Sequence, residues 1–384
     1  MSAQPATRPG VASAPAARGL EVAWVAPGRI DQLTGGYLYD ARVIHGLRAR
    51  GHRVQVVELA QRLPLLDPAA SVRLVRALSS QRWDAVVIDE LAHPAMAVGL
   101  AGLRLAGPRP PGLVVGLVHH LRSSEPQAQL ARRLAWLAER LAMAGIDLAI
   151  CTSLATANVV KRVVRRGIPV GVITPGCDLH LARPEPGARV EPRDRNGRCL
   201  RVLQVAHLTP RKRVLDALRA LALAPVEVEL DLVGDPDRDP KYARRVQAEL
   251  TRPELAGRVR THGRVPSERL AHLYRQADAA LLASSHEGYG IVLAEALVAA
   301  LPVVATRVGA VAEVVREGQE AELVEPGDVL GLARALERLA RDPAERRRRA
   351  RQAIERAATL PTWEECGAAF AAALERALDG REGS

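Results

Sequence analysis

Nearly continuous apolar runs of strand length recur along this chain. They lie at Leu20–Ala26, Asp84–Asp89, Leu113–Val118, Cys199–Ala206, Glu227–Val233 and Ala279–Ala283. Most open onto a short polar or glycine-bearing loop and then a segment with helical patterning. A run that is apolar at successive positions, and not at every second one, belongs to a strand covered on both faces, as in a parallel sheet. Such strands alternating with helices specify an α/β fold. At 384 residues the chain is long enough for two domains.

The boundary shows as a change in composition. Residues 182–198 are rich in Pro, Arg, Gly, Glu and Asp, which places an interdomain linker at 181–198. The expected organisation is an N-terminal Rossmann-like domain over 19–180 and a second over 199–358. A closing segment over 359–384 follows, with a helix opened by Pro361-Thr362-Trp363 and running to about Leu378. Residues 1–18 are Ala, Pro, Arg and Ser without an apolar centre, so they read as a disordered tail and not a signal peptide.

Aromatic residues make up 3% of the chain, so the cores must be built from Ala, Leu and Val. The net charge of +11 comes almost wholly from arginine. A basic surface of this kind either meets an anionic partner, nucleic acid or membrane, or is simply solvated. No aromatic residues interleave a basic stripe, which argues against a single-strand nucleic-acid binder. Cys151, Cys177, Cys199 and Cys366 lack metal-ligand or redox spacing and read as free thiols in a reducing cytoplasm. No apolar run reaches membrane-spanning length. In Gln127–Ala144, Leu130, Leu134, Leu137 and Leu141 share one helical face, with Arg132, Arg133, Glu139 and Arg140 opposite. Such a helix either packs its leucines on its own sheet or lies peripherally on anionic lipid at the inner face of a membrane.

The densest chemistry lies between Ser284 and Leu297. An apolar strand at 279–283 runs into Glu287-Gly288-Tyr289-Gly290, and a helix-favouring stretch from Leu293 to Ala300 follows. A glycine loop before a helix presents backbone N–H groups to an anion. Glu287 on the loop and Glu295 one turn into the helix suit a ligand that also carries hydroxyls, because ionised carboxylates only accept hydrogen bonds. Phosphate plus hydroxyls describes a sugar nucleotide. In the N-terminal half, Thr34-Gly35-Gly36 follows the first strand and serves either a tight turn or a ligand. His119-His120 follows the strand at 113–118, at the end of a sheet where α/β proteins bind ligands. Paired histidines there serve a structural hydrogen bond, an exposed loop or the ligand. No further His or carboxylate stands at ligand spacing beside them, so no metal site is expected.

The segment from Glu287-Gly288-Tyr289-Gly290 through Glu295-Ala296, then Leu301-Pro302-Val303-Val304-Ala305-Thr306 and Gly309, resembles the signature of the family 4 retaining glycosyltransferases of GT-B fold. Weaker likenesses fall in the right order: Thr34-Gly35-Gly36, Thr174-Pro175-Gly176-Cys177-Asp178, Thr209-Pro210-Arg211-Lys212, Val233-Gly234-Asp235 and Gly263-Arg264-Val265. The resemblance implies two Rossmann-like α/β/α domains facing across a cleft, with a C-terminal helix returning to the N-terminal domain. It implies a UDP- or GDP-linked sugar donor, a retaining and metal-independent transfer, no cofactor, and a small-molecule, saccharide or lipid acceptor.

Carried onto this chain, Lys212 and Arg211 would neutralise the donor diphosphate, aided by the backbone of Gly288, Tyr289, Gly290, Ile291 and Val292. Glu287 would hold the transferred sugar and Glu295 the ribose. Gly234 and Val265 would belong to the nucleotide pocket. Gly35 and Gly36 would close over the diphosphate, and His119 would approach the reacting carbon. The chain departs from the family pattern where Ala206-His207 replaces a common Gly-Arg, and where Arg213 and Ala300 stand at frequent glycine positions. The readings from other classes are a nucleotide-sugar epimerase or hydrolase of the same fold, and a sugar-nucleotide-binding protein without turnover.

Overall fold

In a computed structural model the chain forms two six-stranded sheets, parallel throughout. The structure describes residues 19–59 (except 31 and 33), 68–79, 81–92, 112–164 (except 126), 167–177 and 199–382 (except 226). The expected tail at 1–18, the linker at 181–198 and Asp178 lie outside the described residues.

The first sheet contains β1 (Glu21–Pro27), β2 (Arg53–Leu59), β3 (Ala85–Asp89), β4 (Leu113–Val118), β5 (Leu148–Cys151) and β6 (Val170–Val172), in the order β2-β1-β3-β4-β5-β6. The second contains β7 (Leu200–Val205), β8 (Val228–Val233), β9 (Val259–Gly263), β10 (Ala279–Leu282), β11 (Val303–Thr306) and β12 (Ala321–Val324), in the order β12-β11-β10-β7-β8-β9. In each sheet the strand order reverses beside the first strand, between β1 and β3 and between β7 and β10. The loops leaving those pairs diverge and open a crevice at the carboxyl ends, where open α/β sheets take ligands. Both sheets have apolar clusters on both faces, built mainly from Val, Leu and Ala.

Three elements carried too little sequence signal to be expected. Strand β12 is four residues long with alternating burial. The helices Pro68–Ser79 and Leu154–Val163 are short, of 12 and 10 residues. The helix after the glycine loop begins at Ile291, two residues earlier than expected, because Gly290 adopts φ 94° and turns the chain into the helix at once.

The Gln129–Met143 helix packs the opposite way from the sheet-packing reading. Its buried side chains are Ala135, Glu139, Ala142 and Met143, while Leu130, Leu134, Leu137 and Leu141 are exposed. Glu139 decides the rotation. It is buried and accepts hydrogen bonds from the backbone N–H and hydroxyl of Ser123, and burial, the larger influence, pushes its carboxyl up against the pull of those bonds.

The C-terminal helix (Trp363–Glu382) leaves the second domain and packs on the first, against the helix Gly35–Ala49. Gly46 and Gly367 let the two backbones meet: a Cβ on Gly46 would stand 3.0 Å from Gly367 Cα. Where the chain crosses back, the N–H of Cys177 donates to the carbonyl of Pro361 at 3.1 Å. Gly176 lies against the backbone of Thr362 and Trp363, with no room for a side chain.

Among the described residues, the non-glycine positions with φ in the left-handed region are Arg213 (46°) and Ala300 (57°). These are two of the departures from the family pattern, and the backbone shows why glycine is usual there. A side chain in that region costs about 1–2 kcal/mol, partly offset by the greater freedom that glycine loses on folding. Ala300→Gly is expected to stabilise the protein by about 0.5–1 kcal/mol, read as a higher urea midpoint at unchanged slope. Arg213→Gly should gain less, because it also removes the ion pair of the Arg213 Nε with Asp216 at 2.5 Å.

Candidate active site

Four loops meet at the carboxyl ends of the two sheets. From the second domain come the turn Pro210–Lys212 after β7 and the loop 284–290 after β10. From the first come the loop after β1, ending at the Gly35–Ala49 helix, and the His119-His120 loop after β4. Thr34 caps that helix, accepting from the Tyr37 N–H at 3.4 Å.

On the second-domain wall, Lys212 Nζ donates to Glu287 Oε1 at 2.6 Å, and the Ser284 hydroxyl donates to the same oxygen at 2.6 Å. Arg211 donates to the His286 carbonyl at 3.0 Å and stands 3.7 Å from Glu287 Oε2. Glu287 is 5% exposed. Burial acts most strongly on its carboxyl and would raise its pKa, but the Lys212 and Arg211 charges win and hold it below the usual range. Burial and the neighbouring Arg211 lower the Lys212 pKa, and Glu287 opposes them. The sequence reading divided phosphate and sugar between Lys212 and Glu287. In the structure the two form one pair, with two N–H bonds of Lys212 and the outer oxygen of Glu287 left to face other groups.

The helix Ile291–Val298 starts directly behind this pair. Glu295, in its second turn, accepts from the Tyr274 hydroxyl at 2.8 Å, and burial pushes its pKa to about 7. The ring of Tyr289 is buried in the second-domain core, so only its backbone is available to a ligand. Gly234 ends β8; its N–H donates to the Gly263 carbonyl at 3.0 Å, and its Cα lies against the Ala206 carbonyl too closely for any side chain. Val265, just beyond, packs partly buried on the core. A cavity of about 330 Å³ is lined by Gly234, Gly263, Leu208, Leu232 and Thr261 among others. Lys212, Glu287 and Glu295 do not line it, so it adjoins the glycine turn and not the charged pair.

On the first-domain wall, the His119 ring lies over Gly36, where an added Cβ would stand 3.3 Å from its Cδ2. Its Nε2 is 3.1 Å from Asp40 Oδ1 and 3.5 Å from Asp89 Oδ2. Burial works to lower the His119 pKa, yet the bonds to the two carboxylates prevail and hold it well above its ordinary value. Asp40 is raised to about 7 by burial and by the Asp89 charge, with His119 opposing. The backbone N–H groups of His119 and His120 both donate to Glu90. His120 also bridges Glu90 (3.1 Å) and Glu125 (2.9 Å).

Sequence spacing showed no carboxylate beside His119, and the fold corrects that. Asp40, Asp89 and His119 bring one ligand atom each to within 4.8 Å of one another. The Trp24 indole N–H donates to the other oxygen of Asp40, Oδ2, at 3.3 Å.

The walls touch. Gly288 backs onto the His119 carbonyl with no space for a Cβ, Gly35 faces Ile291 Cδ1, and Arg211 stands 3.7 Å from Glu125. Glu313 of the second domain accepts from the N–H groups of Leu154 (2.8 Å) and Ala155 (2.6 Å), capping a first-domain helix from across the cleft.

A family model described as "Glycosyltransferase Family 4" matches residues 11–181, and one described as "Glycosyl transferases group 1" matches 191–356. A sucrose-phosphate synthase structure from Thermosynechococcus elongatus superposes with TM-score 0.79 at 22% identity, covering 94% of this chain and 100% of that one. The chain is a glycosyltransferase of GT-B fold. It resembles family 4 through both halves.

This glycosyltransferase is 29% identical to an MMP alpha-(1->4)-mannosyltransferase of Mycolicibacterium hassiacum, over 80% of this chain and 74% of that one. It is 34% identical to a D-inositol 3-phosphate glycosyltransferase of Thermomonospora curvata, over 50% of this chain and 48% of the relative. The Anabaena HepE structure with UDP-glucose superposes at TM-score 0.72 and 20% identity, covering 93% of this chain and 100% of that one.

The glycosyltransferase cleft holds groups that the sequence reading did not single out: Asp40, Asp89, Glu90, Glu125 and Glu313. A signal existed for Asp89 and Glu90. They stand at the C-terminal end of an apolar strand, the position that drew attention to His119. Asp40 was marked only as an acid on an otherwise apolar helix face. Glu125 and Glu313 carried no local signal, because their partners are contributed by other loops.

Proposed function

We propose that the protein transfers a sugar from a nucleoside-diphosphate sugar, UDP- or GDP-linked, to a hydroxyl acceptor with retention of anomeric configuration and without a required metal. The observation that carries this reading is the Lys212–Glu287 pair, flanked by Arg211 and backed by the start of the Ile291–Val298 helix. Transfer breaks the anomeric C–O bond to the diphosphate and leaves new negative charge on a phosphate oxygen. Preorganised cations and helix N–H groups stabilise such charge most where water is excluded. Lys212 and Arg211 supply the positive charge, and Glu287 accepts hydrogen bonds from hydroxyls of the transferred sugar through its Oε2. The acceptor oxygen attacks from the face the diphosphate leaves, and its proton passes to the departing phosphate. His119, its pKa raised by its bonds to Asp40 and Asp89, stands beside Gly36 on the opposite wall, and those carboxylates offset the charge of its imidazolium form. The names of the relatives support sugar transfer, and the UDP-glucose of HepE supports a nucleotide-linked donor.

The deciding experiment is transfer of labelled sugar from a panel of UDP- and GDP-sugars, with mass-spectrometric product detection, with and without EDTA. A retained-anomer product formed equally in EDTA is expected. Release of free sugar alone, an epimerised donor, or loss of activity in EDTA overturns the reading.

Glu295 adds a pH signature. Its folded pKa of about 7 lies above the ordinary carboxylate value because of burial. The folded protein therefore holds this proton while the unfolded chain has lost it, so the contribution of Glu295 to stability falls as pH rises from about 4.5 to 7. Binding runs the other way, because the ionised group accepts hydrogen bonds from the ribose hydroxyls more strongly than the neutral acid. The donor KM is expected to fall as pH rises through 7. Glu295→Gln should raise KM and flatten that dependence, as measured by initial rates across pH 6–8.

A further inference from the structure

The Gln129–Met143 helix turns an apolar stripe to solvent. Leu130 is 70% exposed, Leu134 and Leu137 49% each, and Leu141 53%. Their spacing of four, three and four residues places them in one line along the helix. Trp136, 41% exposed, flanks the stripe with the Arg140 guanidinium 5.5 Å from its ring centroid. This orientation is built in, because Glu139 is buried on the far side against Ser123. Turning the leucines inward would bring Glu139 out of those bonds.

The charge beside the stripe has one sign: Arg133 and Arg140 stand on its flank, and Arg132 lies toward the Glu139 side. Arg132, Arg133 and Arg140 are exposed, and the helix's single acid is the buried Glu139. Arg132 and Arg133 take part in no ion pair among the described residues. Two copies of the chain meeting through this face would bring four guanidinium groups together without a carboxylate from either helix. A surface that takes up leucine and indole side chains while supplying negative charge satisfies both features.

We infer that this helix docks the protein on an anionic phospholipid surface. The leucine stripe enters the interface with Trp136 at its edge, and Arg133 and Arg140, on the flank of the stripe, meet the headgroups.

The test uses the full chain and vesicles of phosphatidylcholine with or without phosphatidylglycerol. The other three tryptophans, Trp24, Trp83 and Trp363, are at most 6% exposed, so quenching by acrylamide reads Trp136. Anionic vesicles are expected to shield Trp136 from acrylamide and shift its emission to the blue, and neutral vesicles to do neither. Leu134→Ser with Leu137→Ser should weaken co-sedimentation about tenfold. Arg133→Gln or Arg140→Gln should weaken it about fivefold, with less dependence on salt. These side chains are exposed, so an unchanged Tm verifies that the variants fold. Unshielded Trp136 with anionic vesicles, or sedimentation unaffected by the substitutions, overturns the inference. So does a stable dimer that Leu134→Ser with Leu137→Ser dissociates, which would assign the stripe to a second copy. Sugar transfer from a water-soluble acceptor is scored separately and does not bear on this outcome.

Discussion

Lys212→Ala is expected to lower kcat/KM for the donor by about 10²–10³, the range seen when one preorganised donor to a developing oxyanion is removed. The same change should destabilise the protein. Glu287 is 5% exposed, with Lys212 at 2.6 Å and Arg211 at 3.7 Å. Taking away the nearer cation leaves a buried carboxylate with the Ser284 hydroxyl and one more distant cation, and breaking a buried pair in this way typically costs about 3–5 kcal/mol. Glu287 will then bind a proton at a higher pH than in the wild type, so the loss of stability is smaller in acid. The double variant Lys212→Ala with Glu287→Gln separates the two effects. It is expected to recover much of the urea midpoint and none of the activity. Wild-type kcat/KM in Lys212→Ala would remove this lysine from the reaction, and an unchanged midpoint would deny the pair its structural part.

Phe370→Ala should cost about 3–5 kcal/mol, although residue 370 follows the whole second domain in sequence. Phe370, the chain's single phenylalanine, is fully buried with its ring 5.4 Å from that of Trp24 on β1. Trp363, Cys366, Ala371 and Leu374 join it in the same first-domain cluster. The last helix is thus part of the first domain's core, and removing its aromatic ring opens a cavity beneath β1. In calorimetry the loss should fall on the transition of the first domain. A shift confined to the second domain would contradict this placement.

The legible part of the molecule was the part written locally. Nearly continuous apolar runs revealed most strands, and Gly290 with the helix-favouring residues after it marked the loop that holds Glu287. What escaped was set by pairings distant in sequence. Asp40, Asp89 and His119 lie on three different elements, and only the order β1-β3-β4 brings those elements side by side. The Gln129–Met143 helix shows the same limit in reverse. Its leucine periodicity is plain, but which face turns inward was settled by one hydrogen-bonded carboxylate, a matter that periodicity does not encode. Ala300 and Arg213 lie between these cases: the sequence marked them as unusual, and the backbone dihedrals supplied the reason.

The return of the chain beside Cys177 has a mechanical consequence. A single strand between two domains acts as a tether that permits twist, slide and bend. Here a second crossing is fastened to the first by the Cys177–Pro361 hydrogen bond and by the side-chain-free contact at Gly176. Two connections fixed side by side behave as a door hinge with two pins. Relative motion is reduced to a swing about one line, and the angle of that swing sets the gap between Gly288 and His119. A bulky residue at 176 would spread the pins, leaving both walls intact but hung at the wrong angle.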